Sequence, residues 1–174
     1  MAEHSNSPVA EPYAGDGAPA ASWDAALEEL GRAFTFWVAT VHPSGRPHVV
    51  PVLAVVCDEV LHFAAGPGTQ KARNLARDAR VTVTTRGEDF DVVVEGVVHA
   101  VDADDDLAAV ADAYVSKYGW EVEARQGSLH GDGAPTAGPP PYDGYRLTPH
   151  RAFGFPATGN AAPTRWVFPS PARP

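Results

Sequence analysis

The feature that most constrains the fold is a series of short aromatic and β-branched runs separated by turn residues. Such residues favour strands, and short turns join antiparallel neighbours. The pattern therefore predicts a mainly β chain of six or so antiparallel strands, the first three forming a meander. Closing the sheet into a small barrel would remove its exposed edges. The runs lie at residues 34–41, 47–56, 60–65, 80–85, 91–101, 145–149, 151–155 and 164–168.

Pro51 and Gly96 mark places where two of these runs are expected to depart from a regular strand. Pro51 lies inside the second run, which indicates an edge strand, a bulge, or a backbone that faces something other than another strand. Gly96 lies inside the long run 91–101 and indicates a bulge there.

Helical patterns flank these runs. Ser22 is a candidate N-cap for a short helix ending near Gly31, and Asp102 for a longer helix ending near Tyr118. The acidic residues 104–106 suit the first turn of that longer helix, where they complement its dipole.

Composition divides the chain into one domain with two tails. Residues 1–21 are rich in Ala, Pro, Gly and acid, which predicts a disordered N-terminal tail. Residues 22–168 form the predicted barrel domain, and residues 169–174 a C-terminal tail. Within the domain, residues 126–144 lack a period and are dominated by Gly and Pro, which predicts a long loop.

The charge balance and cysteine count exclude several functional classes. Twenty-two acidic residues against 13 basic ones give a formal charge of −9, which argues against a nucleic-acid-binding surface. One cysteine, Cys57, excludes an internal disulfide and fits a reducing compartment. Since neither a membrane-spanning run nor a signal peptide is evident, we expect a cytoplasmic protein without membrane contact.

The stretch 66–80 reverses the charge of the chain, with four basic residues against one acid. Thr69 can cap a helix, which places Lys71 and Arg73 near the first turn, where the dipole disfavours cations. Cations at that end of a helix, together with free amide groups, make a phosphate site. The alternative is an ordinary basic surface helix. Neither a Rossmann nor a Walker motif is complete here.

The order and spacing of these motifs resemble the pyridoxamine 5'-phosphate oxidase-like split-barrel family. The late segments 145–155 and 164–168 are similar to its flavin and deazaflavin oxidoreductase branch. The resemblance spans about residues 34–168. It is carried by Phe36, residues 38–41, Gly45, Pro47, Pro51, Val52, Leu61, Phe63, Gly68, Thr69, Lys71, Asn74, Leu75, Asp78, Arg80 and Val81.

The resemblance implies a homodimer of split β-barrels with cofactor sites along the subunit interface. The cofactor would be FMN or the deazaflavin coenzyme F-420, and its phosphate would meet Thr69, Gln70 and Lys71. Arg73 and Asn74 belong to the same motif. The backbone of Val50, Pro51 and Val52 would line the ring system, and Arg165 and Trp166 would approach from the partner subunit. The arginine and histidine set of vitamin B6 oxidation is not found near the C-terminus.

Three functions compete on this basis. The first is an oxidoreductase that transfers a hydride or electrons to a small unsaturated substrate, with the cofactor supplying the chemistry. The second is a non-catalytic flavin- or haem-binding carrier or sensor on the same barrel. The third is a small barrel that binds a partner or nucleic acid and has lost its cofactor, against which the intact Thr69 and Lys71 argue.

The remaining candidate residues are the histidines, the cysteine and several aromatic side chains. The seven histidines lack the spacing of metal ligands, although His48 lies near the predicted ring-binding strand. Cys57 lacks the basic surroundings of an activated thiolate. Aromatic residues Phe34, Phe36 and Trp37 are expected in the core, whereas Trp166 suits either a stacking role or an interface. No catalytic acid or base is nominated.

Overall fold

The computed structural model describes residues 7–13, 17–132, 138–157 and 161–169. Its helices are α1 Trp23–Arg32, α2 Gln70–Arg77 and α3 Asp104–Tyr118. Its strands are β1 Val9–Pro12, β2 Phe36–Val41, β3 Pro47–Val52, β4 Ala54–Cys57, β5 Val60–Ala65, β6 Arg80–Thr85, β7 Phe90–Val101, β8 Glu123–Arg125, β9 Ser128–His130, β10 Asp143–Pro156 and β11 Thr164–Val167.

One antiparallel sheet contains nine of these strands. Seven of them follow in the order β1-β11-β10-β7-β6-β2-β3, and the hairpin β4–β5 joins through β10. The first residues of β10 pair with β5 and its last residues pair with β11, while almost its whole length pairs with β7. This long strand therefore links both parts of a curved sheet, as predicted for a mainly β barrel.

Alternation along the strands builds the core. In β2, Phe36, Val38 and Thr40 are buried, while Trp37 between them is exposed. Because successive side chains of a strand point to opposite faces, one face of the sheet fills the barrel. The other face carries Trp37 and Val49 into solvent, with 48% and 53% of their surface exposed.

The first three predicted strands differ from the predicted meander. β2 and β3 form a hairpin, but the second predicted run divides at Leu53 into β3 and β4, and β4 pairs with β5. β3 therefore ends the sheet, which confirms the edge position that Pro51 indicated.

The prediction of a disordered tail over residues 1–21 is wrong for the part that the structure describes. β1 pairs with β11, and Ala20 bridges to Ala162. The edge of β11 offers backbone N–H and C=O groups that need partners. β1 hydrogen-bonds to this edge and is ordered by it, although β1 buries little apolar surface by itself. Residues 1–6 and 14–16 lie outside the described ranges, as do residues 170–174 of the predicted C-terminal tail.

The predicted loop 126–144 is also partly wrong. Gln126 and Gly127 form the turn of the β8–β9 hairpin, and Tyr142 bridges to Leu129 before β10 begins. The hairpin was missed because its three-residue strands are too short to show a period. Residues 133–137 lie outside the described ranges.

Two local predictions shift by a few residues. α3 begins one residue later than expected, with Ala103 rather than Asp102 at its N-cap and without a side-chain capping bond. The bulge predicted at Gly96 belongs instead to the facing strand, between Pro149 and Arg151. A Cβ at Gly96 would lie 2.2 Å from the Thr148 carbonyl oxygen, so glycine is required by close approach.

α3 covers the outside of the barrel through a second apolar cluster. Tyr114 and Tyr118 pack there, and their hydroxyls donate to the carbonyls of Leu53 and Ala54 at 3.1 and 2.8 Å. Trp120 contacts Tyr114 edge-on. These aromatic residues therefore pack α3 onto the barrel.

Candidate functional site

The N-terminus of α2 is built as a donor site. Thr69 caps the helix, and its hydroxyl oxygen accepts a hydrogen bond from the Ala72 amide at 3.3 Å. The amides of Gln70 and Lys71 precede the first intrahelical bond, which runs from Arg73 to the Thr69 carbonyl. These two amides have no partner among the described residues, so they remain free to bind an anion.

Lys71 is the cation closest to these amides in the sequence. Only 8% of its surface is exposed, and its amine makes no hydrogen bond or ion pair with the described residues. Desolvation by burial lowers the pKa of the Lys71 amine. A buried, unpaired ammonium group is unfavourable alone and becomes favourable when an anion binds beside it.

The other polar residues of α2 hold the helix in place. Asn74 is fully buried; its side-chain amide donates to the Thr40 hydroxyl at 2.9 Å and its oxygen accepts from Gln70 at 2.8 Å. Arg73 is exposed and donates to the Gly68 carbonyl and the Gln70 side chain. Both polar groups of the Asn74 side chain are thus used within the protein, and its inclusion among the cofactor-binding residues stays a prediction.

Strand β3 pairs with β2 and has a free edge on its other side. α2 is anchored to the same strand β2, through the bond from Asn74 to Thr40. The bond from the His42 amide to the Arg46 carbonyl sets the hairpin register, so Val50 and Val52 exchange hydrogen bonds with β2. The amide of Val49 and the carbonyls of Val49 and Pro51 then point to the free edge. Pro51 cannot donate, so Val49, which the sequence analysis did not select, supplies the free amide there.

His48 adds an unpaired polar atom on the same strand. Its Nδ1 is buried and has no hydrogen-bond partner among the described residues. A buried polar atom without a partner is unfavourable, so it marks a place where a ligand atom would be accommodated.

Arg165 and Trp166 lie far from α2 in the same chain. They belong to β11, and four strands separate β11 from β3 in the sheet order: β10, β7, β6 and β2. Arg165 forms an ion pair with Glu11 of β1 at 2.6 Å. One protomer therefore does not bring these two residues to the α2 site.

The role of Trp166 in contacting a cofactor stays a prediction, and within one protomer this side chain does not reach the surface. Trp166 is fully buried, packs edge-on against Trp23, and donates its indole N–H to the Ala21 carbonyl at 3.0 Å. Strand alternation turns Arg165 outward and Trp166 inward, a choice that the sequence did not reveal.

Two further expectations concern the thiol and the aromatic residues. Burial raises the pKa of the Cys57 thiol, and nearby Asp58 raises it further, which agrees with an unactivated cysteine. Of the three aromatic residues expected in the core, Phe36 is buried, but Phe34 and Trp37 are exposed. Among the described residues, no three His, Cys, Asp or Glu side chains converge as a metal site would require.

The family follows from a sequence comparison over most of the chain. A family model described as pyridoxamine 5'-phosphate oxidase matches residues 22–154, well over half of the 174 residues. The chain belongs to the pyridoxamine 5'-phosphate oxidase-like family. This confirms the family suggested by the spacing of the motifs. No curated protein matches the chain in sequence.

Solved structures of the split-barrel fold resemble this member of the family. A conserved hypothetical protein from Mycobacterium tuberculosis, Rv2991, is 20% identical, with a TM-score of 0.64 over 82% of this chain and 89% of its own. An F-420 reductase is 22% identical, with a TM-score of 0.54 over 80% and 98%. An FAD-binding protein from Mycobacterium smegmatis is 18% identical, with a TM-score of 0.54 over 78% and 96%.

The residues predicted to bind the cofactor from within one protomer fall into two groups, one on α2 and one on β3. Thr69, Gln70 and Lys71 lie at the N-terminus of α2, while Arg73 donates to the preceding turn at Gly68. Val50, Pro51 and Val52 lie on the edge strand β3, which pairs with β2, with Val49 as the added donor. None of the helices in the described ranges combines the length and apolar character needed to cross a bilayer.

Proposed function

We propose that this protein is an oxidoreductase that binds FMN or the deazaflavin coenzyme F-420 and acts on a small unsaturated substrate. The observation that carries the proposal is the buried Lys71 amine, unpaired in the described structure, in the same first turn of α2 as the free amides of Gln70 and Lys71. Both cofactors carry phosphate, and the solved structures similar to this chain include an F-420 reductase and an FAD-binding protein.

The phosphate would lie at the N-terminus of α2. Two free amides, the Thr69 hydroxyl hydrogen and the Lys71 ammonium provide donors of the kind that phosphate oxygens accept. Arg73 adds positive charge near the same end of the helix and keeps the Gly68 turn in shape. No acidic residue occurs in the first turn of α2 to compete for these groups.

The ring system would lie along the free edge of β3. The Val49 amide and the carbonyls of Val49 and Pro51 offer one donor and two acceptors, which suits the polar edge of a flavin or deazaflavin ring. The unpaired Nδ1 of His48 provides another polar contact on this strand. When bound, the cofactor supplies hydride or electron transfer, while these residues bind and orient it.

A homodimer would complete this site. Trp37, Val49 and Pro51 form an exposed apolar patch on the outer face of the β2–β3 hairpin, where Trp37 lies opposite Pro51. Burial of such a patch against a second copy is favourable. The partner's Arg165 would approach the cofactor only after adjusting its ion pair with Glu11.

A carrier or sensor without catalytic activity is the second candidate. A haem-binding protein from Mycobacterium smegmatis has the same fold, with 15% identity and a TM-score of 0.58 over 76% of this chain and 52% of its own. Oxidation of bound reduced cofactor by added substrates separates the enzyme from the carrier.

Titration calorimetry with FMN and with coenzyme F-420 tests the proposal. We expect tight binding of one cofactor, weakened about tenfold or more by Lys71→Met because a charge-assisted phosphate contact is lost. Arg77→Met is the matched control, since Arg77 lies at the other end of α2 and donates to the Val41 carbonyl. Equal affinities of the wild type and Lys71→Met would remove Lys71 from the site.

The pH dependence of binding sharpens this test. Because burial lowers the pKa of Lys71, the amine loses its proton below the usual range for lysine, and affinity should fall as pH rises through that lowered pKa. Lys71→Arg keeps the charge and should bind with a flatter pH profile. Failure of both cofactors to bind the wild type would overturn the proposed function.

A further inference from the structure

A second cavity lies at the end of the barrel, away from α2 and β3. It has a volume of about 490 Å³ and is enclosed by α1, the turn between β4 and β5, the chain next to β1, and Phe168. Small-molecule sites in proteins typically measure about 300–1,000 Å³. None of the residues assigned above to cofactor binding lines this cavity.

The floor of this barrel-end cavity is apolar. Leu30, Val94 and Leu147, each at most 2% exposed, line it and belong to the barrel core. Trp23 and Phe168 add two aromatic rings, whose centroids lie 4.9 Å apart in an edge-on arrangement. A ligand that enters the cavity would therefore place an apolar body against aliphatic and aromatic side chains.

The rim of the cavity is acidic. Asp24 of α1 and Asp58 and Glu59 of the β4–β5 turn line it, whereas no Lys, Arg or His among the described residues does. The ion pairs found among the described residues involve none of these three carboxylates. Three carboxylates, without a cation from the part of the chain that the structure describes, surround an apolar and aromatic space and complement an organic cation.

We propose that the barrel-end cavity binds a small amphipathic organic cation, such as an arylalkyl amine. The apolar part lies between Trp23, Leu27 and the core leucines, and the ammonium group lies at the rim near Asp24, Asp58 and Glu59. This site is separate from the cofactor site and does not depend on cofactor binding. A neutral ligand would lose the attraction of the rim, and an anionic ligand would be repelled by it.

Calorimetry with three probes of similar shape tests the proposal: 4-phenylbutylamine, 4-phenylbutan-1-ol and 5-phenylvalerate. We expect the amine to bind about tenfold more tightly than the alcohol and the carboxylate not to bind, with the difference decreasing at high salt. Equal binding of amine and alcohol, or no binding of the amine, would overturn the proposal.

Variants locate the binding. The combined change Asp24→Asn, Asp58→Asn and Glu59→Gln should reduce amine affinity to that of the alcohol, without affecting the alcohol. Glu28→Gln is the matched control, because Glu28 lies on the same helix but does not line the cavity. Leu27→Trp should fill the cavity and abolish binding of both probes, with circular dichroism confirming the fold. Amine binding that persists in both cavity variants would place it elsewhere and contradict the proposal.

Discussion

At the residue scale, Lys117 is a half-buried cation held by neutral groups. Its amine donates to the carbonyls of Leu30 and Ala54 at 3.2 and 3.0 Å and lies 4.8 Å from the centroid of the Phe36 ring. Desolvation by burial lowers the pKa of Lys117 to about 8. Lys117 thereby connects α3 with the last turn of α1 and with β4 through backbone carbonyls rather than through an ion pair.

The lowered pKa of Lys117 predicts that stability depends on pH. Between pH 8 and 10.5 the unfolded chain holds the Lys117 proton more strongly than the folded chain, so the free energy of unfolding should rise with pH in this window. The same contribution to stability is lost as pH falls through 8. Above pH 10 it should decline, since burial raises the pKa of Tyr118 and Tyr145 to about 12.

Urea unfolding from pH 7 to pH 11 checks this prediction. Lys117→Met should reduce the rise between pH 8 and 10.5, while the decline above pH 10 remains. Lys71 contributes in the same direction as Lys117, so some of the rise should persist in the variant. A variant with the full rise of the wild type would show that Lys117 is not its source.

At the element scale, α2 depends on one buried amide for its position. Asn74 connects Gln70 on its own helix with Thr40 on β2, and Asn74 and Thr40 are at most 2% exposed. Since α2 has only eight residues, it would be marginal in isolation and needs such tertiary contacts.

We predict that Asn74→Ala lowers the free energy of unfolding by about 1–3 kcal/mol, because the Thr40 hydroxyl and the Gln70 amide lose their partner. Cofactor affinity should fall as well, since the amides of Gln70 and Lys71 would no longer be held in place. Arg73→Ala, at an exposed position of the same helix, should change stability by about 0.5 kcal/mol or less. Chemical denaturation measures both; an unchanged midpoint for Asn74→Ala would contradict the anchoring role.

At the scale of the whole molecule, the exposed patch on the outer face of β2 and β3 predicts self-association. Trp37→Glu places a charge in the patch and should convert a dimer into a monomer, as measured by light scattering after size-exclusion chromatography. Val115→Glu is the matched control, since Val115 is 42% exposed on α3, away from this face. A wild type that is monomeric at all concentrations would rule out the proposed homodimer.

Features that depend on neighbours in the sequence were predictable. The Ser22 and Thr69 caps each accept a hydrogen bond from an amide three residues later, and both were identified from the sequence. The same holds for the mainly β class and for the edge position that Pro51 indicated, because a proline cannot donate to a sheet on its N–H side. In the candidate site, the donors at the start of α2 were predictable for this reason.

Features that depend on distant partners were decided only by the tertiary structure. β1 is ordered by β11, about 150 residues away, and Trp166 turns into the core because β11 pairs with β10 in one register rather than the next. Asn74 became an anchor only through Thr40, and Val49 became the free donor only because β3 ends the sheet. The sequence by itself determined the longer strands of the barrel, the Ser22 and Thr69 caps and the charge reversal, since local sterics and hydrogen bonding specify them. Which side chains remained free to bind a ligand was decided by packing and strand pairing, because those depend on the whole chain.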